Sequence, residues 1–225
     1  MCENTNTSQG SVDWFARVTA ILSLLVALAA VLVPYCQGEA DKGEHLTVVA
    51  KPEGTGGVIR LSDDESKSRA VQMPWIVMLS NSGRTKLSVV SYRIEQLIQG
   101  TGIRLFPGLD GGTSDRENKP VSFPLTLDAG ESVSFRLYVG FIPNDEIAKT
   151  LKSMFAAGGP LDSHKTLLAF AEKGLTIYGG KASMQKFEGG GYVITIDPSS
   201  QRQAPVYNLI FRTGRNQEFS IVISD

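Results

Sequence analysis

Cysteine is almost missing from this chain. Of its 225 residues only Cys2 and Cys36 carry a thiol, and both precede the bulk of the sequence. The remainder has no disulfide of its own, so cysteine usage does not report a redox compartment. Histidine is nearly as scarce. His45 and His164 stand far apart without ligand-type neighbours at metal spacing, and both read as surface residues. Charge of one sign is lacking too: 22 basic against 23 acidic residues give a net charge of −1. With no long like-charge run, a phosphate-seeking surface is excluded and no nucleic-acid partner is expected.

Motifs that carry chemistry are also missing. Gly179-Gly180-Lys181-Ala182-Ser183 fails as a phosphate loop, because Leu175 stands where a glycine is needed and Ala182 where the magnesium-binding hydroxyl belongs. It reads as a hairpin turn. Asp63-Asp64-Glu65, and Asp110-Gly111-Gly112 with Asp115, do not fit the calcium-loop spacing and read as solvated loops. Ser163-His164 lies where a helix starts, so a capping serine explains the pair without nucleophilic chemistry. No catalytic residue, cofactor or metal is expected, and the chain does not read as an enzyme.

What the sequence does have is one long apolar run, Val18 to Val33, VTAILSLLVALAAVLV. Trp14 and Tyr35 flank it as interfacial aromatics, and Arg17 can reach the headgroups. At about 1.5 Å per residue, 14–35 covers about 33 Å, against a hydrocarbon core of about 30 Å. The expected plan is a disordered polar tail at 1–13, a transmembrane helix at 14–35, a linker at 36–45 and a domain at 46–225. Trp14, Val18, Leu25, Val33 and Tyr35 mark the passage through the bilayer. Gly38-Glu39-Ala40 has the small-x-small form of a signal-peptidase site, and cleavage after Ala40 would release the domain. The length of the run and its uncharged polar tail favour an uncleaved anchor. Arg17 on the N-terminal flank favours a domain outside the plasma (inner) membrane, with a domain on the cytoplasmic side as the alternative.

After residue 45 the chain alternates strand-like runs with turn residues. His45–Lys51 and Val58–Leu61 come first, then Met73–Ser80, whose continuous apolar character marks a strand covered on both faces. Lys86–Gln96 follows a turn at Asn81–Thr85, with Val90, Tyr92 and Ile94 expected inward, and the two runs read as a hairpin. Gly100–Lys119 reads as a loop around a short IRLF strand. Val121–Leu127, Ser132–Phe141, Leu175–Tyr178, Ala182–Phe187, Tyr192–Ile196, Val206–Arg212 and Glu218–Ser224 complete the strands.

Leu79 to Gly83, a strand end followed by Asn-x-Gly, and later the corner of Leu127, Gly130, Glu131 and Phe135 form a pattern. It resembles bacterial immunoglobulin-like β-sandwich domains over about Val71 to Phe141. The resemblance implies an architecture and no catalytic residues. A helical insertion at 144–174 departs from a plain sandwich. Asn144 caps a first helix with Ile147, Leu151, Met154 and Phe155 on one stripe, and Asp162 or Ser163 caps a second that stops at Gly174. Ile147, Leu151, Phe155 and Leu168 are the candidate partner surface.

The fold expected is mainly β: a transmembrane helix, then an immunoglobulin-like sandwich with an inserted pair of helices. The function expected is a non-enzymatic interaction or assembly module at the bacterial plasma membrane, with the bilayer and a protein partner or second copy as its contacts. The alternative is a ligand-sensing domain that signals through its membrane helix. An apolar patch on the helical pair points to the first, a concave pocket between that pair and the sheet to the second.

Overall fold

Thirteen short strands and two helices follow one long N-terminal helix. The computed structural model describes residues 9–40, 43–62, 70–98, 102–156, 161–197, 199 and 204–224. It divides into two compact units, Met1–Gly43 and Glu44–Asp225.

The first unit is α1, Gln9–Ala40. It starts inside the expected disordered tail and continues through the first half of the expected linker, because a nucleated helix propagates into its flanks at little cost. Among the described residues no helix is long and apolar enough to cross a membrane. Val33, Tyr35 and Cys36 have side chains outside the described set.

The second unit is mainly β. One sheet contains β1 (Leu46–Pro52), β2 (Val58–Leu61), β3 (Val71–Asn81), β6 (Asp110–Ser114), β8 (Ser132–Phe141) and β9 (Leu161–Asp162). Its order is β6-β8-β3-β2-β9, with β1 on the same edge of β3 as β2. The other sheet runs β13 (Glu218–Ile223), β12 (Val206–Thr213), β4 (Leu87–Ile98), β5 (Gly102–Arg104), and β7 (Leu125–Leu127) also pairs with β4. All pairings in both sheets are antiparallel. Val77, Leu79, Phe135 and Leu137 of the first sheet share one core with Leu87, Val89, Leu209 and Phe211 of the second.

β3 and β4 do not form the expected hairpin. They belong to different sheets, and the chain crosses between layers at Asn81–Thr85. Asn81 makes the corner: its buried amide nitrogen donates to the carbonyls of Thr85, Leu127 and Asp128 at 2.8, 3.1 and 3.2 Å, and its oxygen accepts from Gly83 N–H at 3.0 Å. The Asn-x-Gly stretch and the Leu127–Glu131 corner, far apart in sequence, therefore meet. The Glu131 carbonyl accepts from Asn81 N–H and the Asn81 carbonyl from Gly130 N–H, both at 2.9 Å.

Three further expectations change. Val90 is exposed while Leu87, Val89 and Ile94 are buried, because Thr213 pairs with Val89 and Arg212 with Ser91. Val90 is thus an extra residue in a bulge, and it inverts the phase of the strand. Asp110–Ser114, read as loop, is strand β6. Its glycines conceal it, yet one is required there: a Cβ on Gly111 would lie 2.5 Å from the Gln72 side chain. Leu175–Tyr178 is a turn and not a strand, closed by Gly180 N–H to Thr176 Oγ1 at 2.9 Å.

The insertion carries α2 (Asp145–Ala156) and α3 (Ser163–Glu172). Asn144 Oδ1 caps α2 through Ile147 N–H at 2.8 Å. Asp162 Oδ1 caps α3 through Lys165 N–H at 2.9 Å. Gly174, at φ 78°, ends α3: Leu175 N–H bonds to the Phe170 carbonyl and Gly174 N–H to that of Ala171. Between the helices β9 pairs with β2, so the insertion covers that sheet edge. A separate hairpin, β10 (Ala182–Lys186) with β11 (Tyr192–Ile196), follows.

Candidate functional site

The edge of β3 is shared by two strands with a gap between them. β1 pairs as far as Pro52 opposite Trp75, and β2 pairs with β3 only from Arg60 opposite Gln72. Residues 53–57 loop outward there, held by Glu53 N–H on the Pro74 carbonyl at 2.9 Å. Met73, Pro74 and Trp75 therefore border an opening, not a continuous ladder. The far side of that opening is built by the insertion. Leu167 and Ala171 come from α3, Ile177 and Tyr178 from the turn after it, and Ala182, Ile194 and Ile196 from the β10–β11 hairpin.

The result is a cavity of about 500 Å³, within the roughly 300–1,000 Å³ range of small-molecule sites. The hairpin can line it because its two faces differ. Ala182 lies opposite Ile196 and Met184 opposite Ile194 on one face, whereas Ser183 opposite Thr195 lies on the other. The hairpin is tied to α3 by the Tyr192 hydroxyl on His164 Nε2 at 2.9 Å and by Lys186 Nζ on Glu172 at 2.6 Å.

Glu53 is the one lining residue among the described residues that is charged at neutral pH. Arg136 grips it bidentately from one guanidinium edge: Nη2 donates to Oε1 at 2.7 Å and Nε to Oε2, while Nη1 donates to Asn118 Oδ1 at 2.7 Å. Both partners are largely buried, with side-chain exposures of 9% for Arg136 and 15% for Glu53. The Glu53 carboxylate holds the guanidinium pKa above its ordinary value against the opposing cost of burial. Beside this pair the Arg60 guanidinium stacks 3.6 Å over the buried Tyr138 ring. The Ser163 hydroxyl donates to the Glu53 and Gly54 carbonyls, joining the loop to the start of α3.

The candidate partner surface does not survive intact. Ile147 and Leu151 are fully buried, because their stripe faces the core that the two sheets share. Phe155 is half-buried and packs against that core, and Leu168 is half-buried on α3. The residues that do meet at a concave site belong in sequence to separate strands, a helix and a turn. Their spacing over more than a hundred positions leaves no local pattern to read.

The acidic stretches do not line this cavity among the described residues. Asp110 Oδ1 accepts from Gly112 N–H at 2.8 Å and from the Tyr92 hydroxyl at 2.9 Å. Burial and then the Asp110 charge push the Tyr92 pKa up. Asp115 Oδ1 accepts from the N–H groups of Glu117 and Lys119. Asp63-Asp64-Glu65 and Cys2 lie outside the described residues, among which no group of three or more His, Cys, Asp or Glu residues could hold a metal ion. Within α1, Trp14, Val18 and Leu25 are exposed, as are Ile21, Leu22, Leu24, Val26 and Leu28.

No family model, curated protein or solved structure matches the chain.

Proposed function

We propose that this chain is a single-pass, membrane-anchored, non-enzymatic binding module that takes an apolar small molecule into the cavity over Trp75. The cavity is the observation that carries the reading: it is concave, almost wholly apolar, and built by an insertion that a minimal sandwich does not need. Ligand sensing, relayed through association of the membrane helices, follows as its role. The assembly reading rested on the helical pair, and two of its four residues are core.

The domain reads as an immunoglobulin-like sandwich. In that architecture strands A, B, E and D share one sheet and C, F and G the other. Taking β1, β3, β4, β6, β8, β12 and β13 as A to G gives the same two groupings here. The helical insertion then lies between E and F. The anchoring reading rests on the uncharged run Val18–Val33 and on α1, whose exposed apolar side chains occupy every direction around the helix. Arg17 favours an extracytoplasmic domain at the plasma (inner) membrane.

One observation favours assembly as a second reading. The β4–β5 ribbon ends in exposed Ile98, Ile103 and Leu105, the last 71% exposed. Leu105→Asp should leave a monomer if this tip joins copies.

The cavity is tested by quenching of Trp75 with Nile red, a neutral apolar dye, in full-length protein carrying Trp14→Phe. Saturable quenching is expected, and Ala182→Phe, which fills the cavity, should abolish it. Equal quenching in both proteins would sink the binding reading. For the anchor, alkaline carbonate should leave the chain in the membrane pellet. Recovery in the supernatant with residues 1–40 intact would refute it.

A further inference from the structure

We infer that the cavity selects a ligand with no net charge, an apolar body ending in a neutral polar group. The inference rests on the cavity being a ligand site and concerns which chemistry enters it. Trp75, Met73, Leu167, Ala171, Ile177 and Ile194 supply an apolar wall. A charged head taken into such a wall loses hydration that only an opposite charge or several hydrogen bonds can replace.

No basic side chain lines the cavity among the described residues, so an anionic head finds no counter-charge. A cationic head finds only Glu53, and that carboxylate already has both oxygens on Arg136. Detaching it would leave a buried guanidinium without its carboxylate partner. Neutral heads meet no such penalty. Thr176 and Ser224 are lining residues whose hydroxyls can each exchange a hydrogen bond with a neutral head. Selection thus works by withholding a counter-ion at both signs.

Three probes with the same chain separate the possibilities: 1-dodecanol, dodecanoate and dodecyltrimethylammonium, each below its micelle concentration. Binding is read from Trp75 emission in the full-length Trp14→Phe protein held in amphipol at pH 8. Dodecanol is expected to bind at least about tenfold more tightly than either ion. Equal or tighter binding of dodecanoate or of the ammonium would overturn the selectivity and leave the cavity reading intact. Failure of all three would overturn both. Ala182→Phe should remove dodecanol binding, and if that variant does not fold, Leu167→Phe at the partly exposed rim makes the same test. Dodecanol binding unchanged in the folded variant would also count against the cavity.

Discussion

At the scale of single residues, two buried polar side chains carry more of the architecture than their number suggests. Glu53 and Arg136 bind residues 53–57 to the outer face of β8, so removing one partner isolates a charge. Glu53→Gln should cost about 3–5 kcal/mol in urea unfolding, whereas Glu53→Gln combined with Arg136→Met should recover much of the loss. Asn81 supports the crossing between sheets with one amide group. Asn81→Ala leaves three carbonyls short of a donor and should cost about 1–3 kcal/mol, measured the same way. Sequence showed Asn81 as a turn residue but not its bonds to Leu127 and Asp128, which depend on chain 46 and 47 positions away. Val90 shows the opposite limit. Strict alternation put it inward, and only the partner strand's register reveals the bulge.

Among elements, the helices were the most legible, because caps and apolar spacing are local. α3 begins at Asp162 and ends at Gly174 as its residues demand. The Lys165 backbone N–H, followed by that of Gly56, lowers the Asp162 pKa. A carboxylate depressed in the folded state contributes stability that is present above its unfolded value of about 4 and lost as pH falls through the folded value. Urea midpoints from pH 5 to pH 2 should therefore fall less steeply in Asp162→Asn than in the parent. Gly174→Ala puts a side chain at φ 78° and should cost about 1–2 kcal/mol. Strands were read less well. β6 lacks strand-forming residues and exists because β8 offers it an edge. The β3–β4 hairpin was a fair reading of a short turn between two apolar runs, yet such a turn serves equally to cross layers. What decides is the pairing of β4 with β12, and that lies far downstream.

For the whole molecule, composition already limited the chain to a mainly β domain behind an apolar helix. The cavity could not be foreseen, since its walls come from a sheet edge, a helix, a turn and a hairpin. The strand order has a consequence for how the protein is made. Asn208 reaches Glu95 across 113 positions, and among the described residues β12 joins β4 to β13. Until residues 206–223 leave the ribosome, the second layer holds only β4, β5 and β7, and the apolar inner face of β3 and β8 is only partly covered. Synthesis therefore passes through a stage in which a half-built sandwich shows its interior to water.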